Sequence, residues 1–93
     1  MHVYSALFKV HLPSSSLKGK RGIVKSLLAR ARNSFNVAAA EVDLQDMPGA
    51  AVLVFVTVNE NKVQARRLLE RLEDWLVEER PDVDLVAVEI EER

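Results

Sequence analysis

Cysteine is absent from this sequence, which excludes disulfides, thiolate catalysis and cysteine-based zinc sites in one step and suits a chain kept in a reducing cytoplasm. Glycine and proline are scarce, three of each among 93 residues, so no flexible linker or low-complexity tract is expected. No apolar run approaches the ~20 residues that cross a bilayer. The opening Met1-His2-Val3-Tyr4 lacks the basic stretch and apolar centre of a secretory leader. Aromatic residues are few: one Trp, one Tyr and three Phe. The most consequential gap concerns charge of one sign, because no Asp or Glu occurs before Glu41.

What is present follows from that gap. Residues 1–40 hold Lys9, Lys18, Lys20, Arg21, Lys25, Arg30 and Arg32, while residues 41–93 hold six further basic side chains and all fourteen acidic ones. The two segments carry +7 and −8 inside a chain whose formal net charge is only −1. Separation on this scale concerns partners, not fold. The length fits one domain, 1–93, burying a little over ~60% of its unfolded surface. Such a thin core must rely on apolar burial and hydrogen bonds, with self-association as a further support.

Six elements can be read along the chain. Residues 2–11 alternate with a period of two, with Tyr4, Ala6, Phe8 and Val10 in one row, the pattern of a half-buried strand. Pro13 and three serines break it, and a serine there suits the cap of a helix over 17–35. That helix gathers Leu17, Val24, Leu27, Leu28, Ala31 and Phe35 on one face, with Ile23 at its margin. Gly19 and Gly22 near its start leave room for another backbone or a phosphate. Residues 37–45 alternate again, and Asp46-Met47-Pro48-Gly49 is a turn. Residues 50–58 are apolar on both faces, as a central strand is. A second helix over 60–79 follows Asn59-Glu60-Asn61 and stops before Pro81. A last strand, 84–91, points Val86, Val88 and Ile90 one way. The order βαββαβ predicts an α+β, ferredoxin-like split βαβ sandwich: a four-stranded antiparallel sheet with two helices on one face.

Ser16, Leu17, Lys18, Lys20 and Arg21 open the first helix, Phe35-Asn36-Val37 ends it, and Ala40, Glu41, Val42, Asp43, Gln45 and Asp46 follow. This combination resembles the YlxP-like family of small bacterial proteins of unassigned function. The resemblance is dense over residues 12–46 and architectural beyond Val52. It implies a ferredoxin-like fold. Members are commonly encoded beside translation initiation and ribosome-maturation factors, which implies an RNA or ribosome context. No catalytic residue is implied.

The residues carry three candidate surfaces. Lys18, Arg21, Lys25 and Arg32 are spaced i, i+3, i+7 and i+14, one stripe about 21 Å long at ~1.5 Å per residue. With Lys20 near the positive end of the helix dipole, they form the candidate phosphate- or RNA-binding set. An acidic protein partner, or a plain solvated face, satisfies the same stripe. Glu41 and Asp43, two apart on a strand, face the same way about 6–7 Å apart. Charges on an edge strand discourage stray pairing, and a subunit salt bridge is the alternative use. The third surface is the sheet face opposite the helices. It presents Leu7 on the first strand and, on the third, either Leu53 and Phe55 or the Val52, Val54, Val56 row, with Glu41, Asp43 and Glu89 toward the edges. An apolar centre with a polar rim is interface anatomy, so a dimer or larger self-assembly is expected there. Base stacking on that face would need more exposed aromatics than Phe55 alone.

Nothing in the sequence builds a catalytic, metal or cofactor site. His2 and His11 are isolated, no Gly-rich phosphate loop is present, and no DNA-binding motif is recognisable. Arg66 and Arg67 pair with Glu70 at helical spacing on a solvated face. The expectation is a non-enzymatic cytoplasmic protein associated with RNA or the ribosome through its first helix. The alternatives are a homo-oligomeric interaction module without nucleic acid and a small-molecule sensor with its pocket at a dimer seam.

Overall fold

A computed structural model describes residues 1–93. The elements are β1 (His2–His11), α1 (Leu17–Ser34), β2 (Ala38–Asp43), β3 (Ala50–Asn59), α2 (Lys62–Glu79) and β4 (Asp84–Glu92). The strands form one sheet in the order β2-β3-β1-β4, every neighbouring pair antiparallel. This is the expected split βαβ arrangement, with β1 and β3 central and β2 and β4 as edges.

One row of each central strand faces the helices. Tyr4, Ala6, Phe8 and Val10 of β1 are buried with Ala51, Leu53 and Phe55 of β3. In register, Ala6 stands opposite Phe55 and Phe8 opposite Leu53, and the Phe8 and Phe55 rings meet at 5.3 Å between centroids. The helices close this layer with Val24, Leu27, Leu28 and Ala31 from α1 and Ala65, Leu69, Leu72 and Leu76 from α2. Burying each large apolar side chain contributes about 1.5–3 kcal/mol. At the end of the helical layer, Phe35 meets Trp75 edge-on, centroids 5.7 Å apart.

Local chemistry explains the boundaries. Ser16 caps α1, its hydroxyl accepting from the Gly19 N–H at 3.0 Å. Asn61 caps α2 in the same way, accepting from the Gln64 N–H at 3.1 Å. A Cβ on Gly19 would stand 2.9 Å from the Ser14 hydroxyl, so the glycine makes room for the capping loop and not for a phosphate. Gly22 faces open space. α2 ends at Arg80, before Pro81, where the α conformation is disfavoured.

Two bulges alter the expected side-chain phases. In β4, the register shifts so that Leu85, not Val86, pairs opposite Val10 of the core row. Leu85, Val88 and Ile90 therefore pack on the core, and Val86 is exposed. In β2, Glu41 stands opposite Leu53 but Asp43 stands opposite Val52, with Val42 as the extra residue. One inserted residue reverses the alternation beyond it.

Candidate functional site

The basic stripe of α1 is formed as the helical period requires. Lys18, Arg21, Lys25 and Arg32 are exposed, while Val24, Leu27, Leu28 and Ala31 turn to the sheet. None of the four cations has a carboxylate within 4.0 Å; among the seven basic residues before position 41, only Lys20 and Arg30 are ion-paired, with Glu41 and Glu79 respectively. Three of the stripe residues, Arg21, Lys25 and Arg32, join Val24, Leu28 and Glu41 around an open groove of about 370 Å³ between α1 and edge strand β2. Lys18 extends the stripe toward the N-terminus of the helix. Arg32 also donates from Nη1 to the Ala39 carbonyl of β2 at 3.1 Å, tying the stripe to the edge strand.

Lys20 departs from the expected phosphate-binding set. It is 1% exposed, with Nζ donating to the Leu44 carbonyl at 2.5 Å and lying 2.8 Å from Oε2 of Glu41. A buried ammonium without such partners would be strongly disfavoured. Position 20 precedes Val24, Leu27 and Ala31 by four, seven and eleven residues, which places it on the inward face. That spacing was the available signal. The Lys20–Glu41 contact lies off the hydrogen-bonding axis, leaving Oε2 without an aligned donor, so proximity of charge holds the pair. The Leu44 backbone, at φ 61°, is in the left-handed region, and the Asp43 carboxylate accepts from its N–H at 2.8 Å. Lys20 thus fixes the end of β2 beneath α1.

The paired-carboxylate reading of Glu41 and Asp43 is corrected by the Val42 bulge. Glu41 lies on the helix side against Lys20, and Asp43 pairs opposite a residue of the open face. Glu41 is therefore not an exposed interface carboxylate. No group of three or more His, Asp or Glu side chains is placed to hold a metal ion.

The open sheet face is also revised. Leu53 and Phe55 are fully buried in the core and are not interface residues. Their row is in phase with Phe8 and Ala6. Half-buried Leu7, Val52, Val54 and Val56 occupy the open face instead, and Val58 is 51% exposed. No aromatic side chain remains there, because Tyr4, Phe8 and Phe55 all face the core. Ser5 is buried on this face, where Arg93 Nε donates to its hydroxyl at 2.7 Å. At the sheet's corner His2 lies 2.9 Å from Glu92. That hydrogen bond, aided by Lys62, holds the Glu92 carboxyl below its ordinary value despite some opposing desolvation. No helix is long and apolar enough to cross a membrane.

Comparisons with known proteins agree with this architecture. A family model described as "Protein of unknown function (DUF503)" matches residues 3–90. The "Uncharacterized protein YlxP" of Bacillus subtilis (strain 168) is 34% identical over 59 residues, covering 63% of this chain and 64% of that protein. The chain thus spans just under two thirds of that relative's length. Among solved structures, the de novo designed protein LFR1 1 with ferredoxin fold superposes with a TM-score of 0.62 at 13% identity, covering 100% of this chain and 86% of that one. The de novo designed protein Foldit4 gives 0.53 at 14% identity, covering 100% and 97%. These likenesses concern the fold alone.

Proposed function

Since the chain belongs to the DUF503 family of proteins of unknown function, we propose from its geometry that it is a non-catalytic cytoplasmic factor that binds RNA, on the ribosome or free, through α1. One observation carries this reading: Lys18, Arg21, Lys25 and Arg32 form an exposed row in which no cation has a carboxylate of its own chain within 4.0 Å. An unneutralised row of this kind attracts a polyanion and releases its counterions on contact. Beyond position 41, Lys62, Arg66, Arg80 and Arg93 each lie within 4.0 Å of a carboxylate, while Arg67 and Arg71 do not but share their helix with five acidic residues. Four phosphate contacts correspond to a slope of log affinity on log salt of about −2.8 for a single strand. Replacing both Arg21 and Lys25 by Glu is expected to lower the slope to about −1.4 and to weaken binding by more than tenfold, with the helical circular dichroism unchanged. Co-sedimentation with ribosomes and anisotropy with labelled RNA at several salt concentrations measure this. Absence of salt-dependent association in the wild type would overturn the reading.

A second reading rests on a different surface. Leu7, Val52, Val54 and Val56, with exposed Val58 beside them, form an aliphatic strip flanked by Lys9, Glu89 and Glu91. A second copy seated there would make the chain a homo-oligomeric module. Light scattering separates the possibilities: an oligomer insensitive to salt supports assembly through this strip, whereas one that dissolves at high salt supports docking of α1 on a neighbour's acidic β4.

A further inference from the structure

A grip on phosphates alone needs only cations on a convex surface, and α1 offers more than that. Arg21, Lys25 and Arg32 border a hollow floored by the outer edges of Val24 and Leu28, which are 5% and 9% exposed and otherwise belong to the core. At about 370 Å³ the hollow lies toward the small end of the range for ligand pockets. The aliphatic stems of the three long side chains extend the apolar lining. Beside this floor stands Glu41, whose side chain keeps 19% of its exposure. Its Oε2 is buried toward Lys20, while the residue also lines the groove. A duplex presents phosphates and sugars but keeps its base faces stacked away, so it has nothing to place on an aliphatic floor. An unpaired nucleotide has both a charged end and an apolar face.

We infer that the groove between α1 and β2 seats one unpaired nucleotide of an RNA strand, its own and its flanking phosphates along the row of Arg21, Lys25 and Arg32 and its base over Val24 and Leu28, with the Glu41 carboxylate accepting from an exocyclic amino group. This deepens the RNA-binding reading and rests on it. The carboxylate sets the base preference: cytosine carries an amino donor at the edge where uracil carries a carbonyl. The neighbouring Lys20 offsets the charge of Glu41, so the acceptor does not simply repel the strand.

Fluorescence anisotropy with the full chain tests both levels. The probes are labelled 12-nucleotide oligocytidylate, oligouridylate and a 12-base-pair RNA duplex at fixed salt, with unlabelled cytidine monophosphate as competitor. Oligocytidylate is expected to bind about tenfold more tightly than oligouridylate, the difference one well-placed base contact gives, and the duplex more weakly than either. Cytidine monophosphate should compete only at far higher concentration, because it lacks the flanking phosphates. Leu28→Gln, which puts a polar group under the base without changing charge, should bring single-strand affinity down to the duplex level. Should that variant fail to fold, the wild-type comparison stands alone. Equal affinity for single strand and duplex overturns the nucleotide seat while leaving phosphate binding intact. Equal affinity for the two oligomers removes the role of Glu41. Competition by the monophosphate at the oligomer's own affinity points to a free nucleotide and overturns the strand, and no binding to any RNA overturns the underlying reading.

Discussion

The two helices make an internal comparison. Both have eighteen residues, both begin with a side-chain cap accepting from the third residue on, and both bury one stripe on the same sheet. α2 buries only Ala65, Leu69, Leu72 and Leu76; of its outward cations Lys62 and Arg66 have a carboxylate within 4.0 Å and Arg67 and Arg71 do not, but five acidic residues share the helix. α1 instead buries a lysine and leaves four cations unneutralised. Helical packing required none of this, because α2 shows the same fold served by a conventional amphipathic stripe. The acid-free charge of α1 is therefore not a requirement of the fold.

The sharpest way to break the comparison is at the buried positions. Lys20→Ala removes the partner of a largely buried carboxylate and should cost about 3–5 kcal/mol, comparable with the roughly 2–5 kcal/mol expected for Leu69→Ala on α2. Chemical denaturation measures both. Unlike the leucine cavity, the α1 lesion should be relieved by removing the carboxylate too, so Lys20→Met combined with Glu41→Leu is expected to recover most of the loss. If the double variant is no better than Lys20→Ala, the charge pair is not what position 20 supplies. The caps come next: Ser16→Ala and Asn61→Ala should each cost about 1 kcal/mol, nearly equally, since their geometry is the same.

The glycines give a smaller effect of opposite sign. Gly22→Ala points its methyl into open space and should stabilise α1 by about 0.5–1 kcal/mol. Gly19→Ala should show no such gain, because the Ser14 hydroxyl must move. The smallest effect is at Glu92. Its carboxyl is held below its ordinary value, chiefly by the His2 hydrogen bond. A depressed carboxyl contributes stability above its unfolded value and loses it as the pH falls through the folded one. Glu92→Gln should therefore flatten a slight decline in melting temperature below about pH 4.5, and leave the profile unchanged near neutrality.

The elements and their order were legible because each rests on local chemistry. Tyr4, Ala6, Phe8 and Val10 alternate cleanly, and Ser16 and Asn61 announce the helices. What stayed hidden depended on a partner strand. β3 is apolar on both faces, so its own sequence does not say whether Leu53 or Val54 turns inward; β1 decides this by pairing Phe8 with Leu53. The bulges at Val42 and Val86 are likewise products of register and reversed the expected directions of Asp43 and Val86. The stripe of Lys18, Arg21, Lys25 and Arg32 was readable from spacing alone. Lys20 has the charge of the stripe but the position of the inward residues of the same helix, and position decides where it points.

The edge-on meeting of Phe35 and Trp75 has a practical use. Trp75 is the single tryptophan of the chain, and it touches the residue at which α1 ends, three positions beyond Arg32. Its emission is thus a built-in gauge of whether the two helices remain seated together. An occupant that pries α1 from the sheet would shift that signal toward the red, whereas one resting in the preformed groove would leave it nearly unchanged, so an unlabelled titration can distinguish opening from docking.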